Sequence, residues 1–352
     1  MIMLPEPDTE LLQSLLTDLL QTPSPTGFTE AATACVETWL GAHVPQAKLT
    51  RTRKGGLLAV WPGERDEAPR ALTAHVDTLG AVVKEIKANG RLKLSKVGGF
   101  PWNFVEGETV WVHPSRGGEP VPGTLLHQFA SVHVYGKKAG EAPRDDEHME
   151  VRLDARVSNA DEVRALGIEV GDFVSFDPRV VWHQGFVRSR HLDDKAGVAC
   201  VMAAWQALAA AGQRPHQTTY FLVSNYEEVG HGAAGVFPPE VGELVTVDMA
   251  AVGQGQASDE FHATLCVKDG GGPYHHGLSQ RLRQLAEEHG ILYRVDVYPY
   301  YGSDGEAAWR AGADLAVALI GPGVDASHNL ERTHLEALLA TTRWIEAYLL
   351  SN

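Results

Sequence analysis

The chain has 352 residues and a formal net charge of −15 with no lysine- or arginine-rich block, which argues against nucleic acid and anionic membrane surfaces as partners. Its length exceeds that of one ordinary hydrophobic core and predicts two domains. Three widely spaced cysteines, Cys35, Cys200 and Cys266, fit neither a disulfide framework nor a cysteine zinc site, so a reducing cytoplasm is the expected compartment.

The start, MIMLPEPDTE, lacks a basic segment followed by an apolar core, and no apolar run reaches the roughly 20 residues needed to cross a bilayer; neither export nor membrane insertion is expected. The run LLQSLLTDLL after Asp8 and Thr9 predicts an amphipathic helix capped at its first turn. Two prolines in TPSPTG end it, and helix resumes in FTEAATACVETWLGA. Strands follow in LLAVW and RALTAHV. From Ala81 to about residue 179 the pattern changes to short alternating segments, AVVKEIK, RLKLSKV, TVWVHP, GTLLHQF and DFVSFDP, which predict a small β-barrel. Beyond His183 come an Ala-rich helix through VACVMAAWQALAAAG, the strand TTYFLVSN, a helix, the strand LVTVD and further α/β units. The glycine-rich KDGGGPYHHG is expected to be a flexible loop. Together these predict a doubly wound, mostly parallel α/β domain flanked by helices, residues 1–80 and 180–352, interrupted by an inserted barrel at 81–179.

Chemistry-bearing residues gather where strands of such a sheet end. His75 and Asp77 follow LTAHV, Glu227 and Glu228 follow TTYFLVSN, Asp248 ends LVTV, and His328 follows DLAVALIGPG by a short loop. His75 and Asp77, two apart, lie on one side of an extended segment, so the carboxylate can orient the imidazole; alone, so short and common a pattern reads first as an ordinary polar strand end. Asp193 and Asp194 open the Ala-rich helix, where Asp194 reads as a cap, while Asp193 reads either as a cap or as a carboxylate bridging two cations. Adjacent Glu227 and Glu228 repel each other unless a cation or proton intervenes, and they allow one to bind metal while the other holds a water. Asp304, before GEAAWRAG, reads as a helix cap. His275 and His276 lack a completing partner and stay unassigned.

The ordered set TPSPTG, HVDTLG, a barrel directly after it, LDDKAG, YEEVGHGAAG, VDMA, GSDGEAA and DASHNLERTH resembles the dinuclear zinc aminopeptidases of the tetrahedral (TET) type, grouped with glutamyl and deblocking aminopeptidases. The resemblance covers nearly the whole chain. It implies that His75 and Asp248 bind one metal ion, Glu228 and His328 a second, and Asp193 bridges them. Glu227 is then the general base and proton shuttle, Asp77 orients His75, and Asp304, in a segment that shapes the substrate pocket, faces the substrate amine unless it is merely the helix cap. It further implies removal of N-terminal residues from short peptides by a two-metal-activated water, with Zn2+, Co2+ or Mn2+ as the ions, and a homo-oligomer built from barrel-mediated dimers into a dodecamer. The runs VDTLGAVVKE, SRHLDDKAGVA and VDASHNLERTH are similar to a subgroup associated with N-acetylglutaminylglutamine amide biosynthesis. The alternatives are a dinuclear amidohydrolase, a carboxypeptidase or deacylase acting on N-acyl or dipeptide substrates, and a noncatalytic assembly protein with structural metals.

Overall fold

The computed structural model describes residues 3–352. One compact unit runs to Asp77 and resumes at Val180; a second spans Thr78–Arg179.

The first unit is built on a 12-stranded sheet. Its centre is four parallel strands in the order Gln217–Ser224, Arg65–His75, Glu243–Val247 and Ala316–Asp325. Toward the edges the pairing turns antiparallel, with Leu57–Trp61 against Gln217–Ser224 on one side and Glu331–His334 against Phe186–Ser189 on the other. Successive side chains of a strand face opposite sides, and both faces here are apolar. Leu72, Phe221, Val223, Val245 and Ile320 join the larger core, beneath the five long helices, while Ala71, Leu222, Leu244, Val317 and Leu319 join a smaller one with Ala233, Tyr274 and Ala308.

The helices start and stop for local reasons. Asp8 accepts from the Leu11 amide at 3.0 Å and caps Thr9–Gln21, whose five buried leucines are each worth about 2 kcal/mol over exposure. The helix assigned to Leu192–Ala210 is non-helical at Asp193 and Asp194; its regular turns begin at Lys195, and the Asp194 carboxylate caps them by accepting from Gly197 N at 3.1 Å. Between Ser224 and Glu243, where sequence predicts a helix, there is only a 3-10 turn at Glu227–Val229. Gly230 and Gly235 there adopt φ of +80° and +70°, and Pro238 and Pro239 follow, so no regular helix can propagate. The glycine-rich stretch is a loop, but a tied one. Asp269 accepts from Gly271 N, Gly270 N donates to Tyr301 O at 3.0 Å, and His275 caps the next helix by accepting from Leu278 N.

The second unit is a closed antiparallel barrel of six strands in the order Gly80–Ile86, Leu92–Val97, Met149–Leu153, Val121–His127, Thr109–His113 and Phe173–Phe176. Val174 against Ala81 closes the ring. Val83, Leu92, Val110, Val112, Leu125, Val151 and Val174 fill it.

Candidate active site

Parallel pairing puts the carboxyl ends of the central strands at one edge of the sheet, and the predicted residues meet there. His75 is the last residue of its strand, and Glu227, Asp248 and His328 come one to three residues after theirs. Asp193, on the segment entering the buried helix, lies between the two histidines. Its Oδ1 is 3.1 Å from His75 Nε2 and its Oδ2 is 3.4 Å from His328 Nε2. Glu227 Oε2 and Asp248 Oδ1 lie 3.7 and 4.0 Å from His75 Nε2, and Glu228 Oε2 lies 3.6 Å from His328 Nε2.

Asp77 orients His75 by a route the sequence does not show. The main-chain carbonyl of Asp77 lies 2.9 Å from His75 Nδ1, while its carboxylate is 3.8 Å away. A carbonyl only accepts, so Nδ1 carries a proton and Nε2 is the nitrogen turned toward the carboxylates, free to bear a second proton or to bind a cation. The Asp77 carboxylate instead accepts from Thr26 Oγ1 at 2.7 Å and from the amides of Glu227 and Glu228 at 3.3 and 3.4 Å. It fixes the turn that carries the paired acids. Tyr226, which starts this turn, has φ of +72°.

Asp304 is a strut. It is 1% exposed, its Oδ2 accepts from Thr73 Oγ1 at 2.8 Å and Ser224 Oγ at 2.5 Å, and its Oδ1 accepts from Ala233 N at 2.8 Å. It joins the strand bearing His75, the strand leading to Glu227 and the loop after Glu228. Ser303 takes the helix-cap place, and the contacts that hold Asp304 here are all internal ones, those of a buried strut. His275 and His276 sit at the start of another helix. Glu331, passed over in the sequence, accepts from Asp193 N and His328 N, each at 3.1 Å.

So many buried acids together must be neutralised, by protons or by a cation. Burial, Asp193 and neighbouring acids push Glu228 up to about 8, and burial with Asp193 pushes Asp248 up to about 7. Burial likewise drives Glu227 and Asp194 well above the carboxylate range. Burial alone would raise Asp193, but hydrogen bonds from His328 and His75 hold it below that range. For His75 burial acts downward, yet Glu227, the Asp193 hydrogen bond and Asp248 outweigh it and carry the imidazole well above its ordinary value. Protons are being held where a metal ion would relieve the same repulsion.

The donor set fits such an ion. His75, Asp193 and Glu228 offer ligand atoms within 4.8 Å of one another, as do His75, Asp194 and Asp248. In the second group the Asp194 oxygens already accept from His75 N and Gly197 N, so the available donors are His75 and Asp248. The His75 lone pair facing a carboxylate oxygen at 3.1 Å is repulsive unless a proton or cation lies between them. Imidazole nitrogens and carboxylate oxygens suit Zn2+, Co2+ and Mn2+.

Fold and site together define an α/β metallohydrolase. The chain belongs to the M42 glutamyl aminopeptidase family, whose model matches residues 55–343, and it is a metal-dependent aminopeptidase. It is 48% identical over 338 residues, 96% of each chain, to a Bacillus subtilis (strain 168) protein named "Putative aminopeptidase YhfE". Among solved structures, a TET aminopeptidase from the marine sediment archaeon Thaumarchaeota archaeon SCGC AB-539-E09 superposes with a TM-score of 0.86 at 17% identity, covering 96% of each chain. The Pyrococcus horikoshii TET1 peptidase, described as able to assemble into a tetrahedron or a large octahedral shell, gives 0.82 at 20% identity, covering 97% of this chain and 100% of that one. These likenesses bear out the family and fold expected from the ordered motifs.

Proposed function

We propose that the enzyme removes single N-terminal residues from short peptides at a two-ion centre, with His75 and Asp248 on one ion, Glu228 and His328 on the other, and Asp193 shared. The observation that carries this reading is Asp193, whose two oxygens face different imidazoles at 3.1 and 3.4 Å, as a bridging carboxylate requires. Zn2+ is the foremost ion, with Co2+ and Mn2+ compatible. Divalent ions supply an acidified water and a positive field at the scissile carbonyl. Glu227 takes the proton of the attacking water and hands it to the departing amine nitrogen. Asp77 serves both jobs from beneath, holding the His75 tautomer through its carbonyl and the Glu227 turn through its carboxylate. Near-complete burial of His75, Asp193 and Asp248 excludes bulk water from the base of the site.

The test is Glu227→Gln combined with a panel of free and N-acetylated peptides. The variant should keep its bound metal and lose cleavage by roughly 10²–10⁴-fold, and acetylated peptides should resist the wild-type enzyme. Equal cleavage of acetylated substrates would favour an amidohydrolase instead, and metal-loaded wild-type protein inert toward every peptide would favour an assembly protein. Including small amides such as N-acetylglutaminylglutamine amide in the panel tests the subgroup resemblance.

The barrel is assigned to dimerisation and the whole to a homo-oligomer, with a dodecamer as the expected assembly; the tetrahedron described for the Pyrococcus horikoshii relative supports this. Its three free thiols fit a cytoplasmic setting, and no described helix is long and apolar enough to cross a membrane.

A further inference from the structure

We infer that Glu331 is a positioning residue that holds Asp193 and His328 at a fixed separation and thereby governs whether the second ion binds; this rests on the two-ion reading above. The residue is 1% exposed. One oxygen, Oε2, accepts from Asp193 N at 3.1 Å, and the other, Oε1, accepts from His328 N at 3.1 Å. A single rigid carboxylate therefore spans the backbones of two candidate ligands that lie far apart in sequence.

Both backbones need such a tie. Asp193 has φ −76° and ψ 106°, outside the helix that follows it. His328 has φ +62° and Ala326 has φ +59°, left-handed conformations that residues with a Cβ seldom adopt without external support. Glu331 has firm footing, because it begins a strand paired with Phe186–Ser189, where Ser189 is its register partner. From these anchored backbones the side chains reach each other, His328 Nε2 lying 3.4 Å from Asp193 Oδ2 and 3.6 Å from Glu228 Oε2. The two ligands that belong to the first ion alone are held differently. His75 leans on the Asp77 carbonyl, and Asp248 Oδ1 accepts from Met249 N at 2.7 Å. Disturbing Glu331 should thus weaken the ion at Glu228 and His328, which would lose support for both His328 and Asp193, more than the ion at His75 and Asp248, which would lose support for the shared Asp193 alone.

Glu331→Gln preserves shape but sets an amide donor against one of the two backbone donors. Metal-stripped wild-type and variant proteins are titrated with Co2+, following heat and the visible absorption of the bound ion. Wild type should take two ions per chain. The variant should bind one within about threefold of wild-type affinity and the other about 10–100-fold more weakly, with the corresponding absorption band appearing only at high Co2+. Peptidase kcat should fall at limiting metal and recover at excess Co2+, with KM little changed. Glu331→Asp, which keeps both acceptors on a shorter arm, should show the same selective loss to a smaller degree. The proposal is overturned if the Gln variant binds both ions as wild type does, or loses both equally together with a drop in the thermal midpoint of the metal-free form. A wild-type chain that takes only one ion would instead overturn the two-ion reading itself.

Discussion

Glu346 offers a quantitative test of the energetics of the larger core. It lies in the C-terminal helix Leu335–Leu350, is fully buried, and neither carboxylate oxygen has a hydrogen-bond partner. Burial pushes its carboxyl from 4.5 up to about 8, with Arg343 pulling down and Glu6 adding to the rise. The folded protein therefore binds a proton at this site across a window where the unfolded chain has released it. Stability is fully present below the unfolded value and falls as pH rises through the window, at about 1.4 kcal/mol per pH unit. Over the two units from pH 5.5 to 7.5 the loss is about 3 kcal/mol. Glu346→Gln carries no charge at any of these pH values and removes this slope. Urea unfolding of wild type and variant at half-unit steps from pH 5 to 8.5 reads the difference directly, because every other titrating group cancels in the subtraction. The variant should gain on wild type steadily as pH rises. Parallel stability curves for the two proteins would refute the assignment of a neutral, buried Glu346.

Other outcomes follow from the site. Exhaustive chelation should abolish peptide cleavage and lower the thermal midpoint, and Zn2+, Co2+ or Mn2+ should restore both; full activity in metal-free protein would contradict the reading. Asp77→Ala leaves the main-chain carbonyl that holds His75 but frees the Glu227 and Glu228 amides, so metal content should persist while kcat drops about 10–100-fold, by analogy with outer-shell partners in metal enzymes. Gly232→Ala would place its Cβ 1.8 Å from Asp304 Oδ1 and push the loop off its strut, lowering kcat at unchanged metal content. Asp304→Ala should destabilise the fold by about 3 kcal/mol in urea unfolding, since three donors lose their acceptor.

The sequence made the strand-end acids and histidines legible because they depend on local facts: an apolar run stops, and a ligating residue type follows within three positions. His75, Asp248 and His328 were readable in this way. Asp77 was read as a partner of His75, yet the group that makes the bond is its carbonyl, and its carboxylate serves Thr26 and the glutamate turn. No spacing rule separates those two uses. Asp304 looked like a helix cap or a substrate contact, because nothing local announces that Thr73, Ser224 and Ala233 converge on it. Glu331 went unnoticed in DASHNLERTH for the same reason, its value lying in donors on two distant backbones. The helix expected after TTYFLVSN failed on local grounds that were visible, the glycines and prolines between Gly230 and Pro239. The barrel was legible because alternation with short turns has few other solutions.

His75 and Asp193 meet across 118 residues of chain, most of them in the Thr78–Arg179 unit. Were that stretch a flexible loop, closing it would cost only about 2 kcal/mol more than closing one of about 16 residues. The barrel has its own core and its strands close on one another, so it can collapse first and shorten the loop that remains. A ribosome making this chain would then complete the inserted unit while all of the site except His75 and Asp77 is still unsynthesised. His328, the last of the proposed ligands in chain order, emerges about 80 residues after Asp248, so under that proposal ion capture follows barrel folding, and a chain cut short before His328 would carry a folded barrel with an incomplete metal centre.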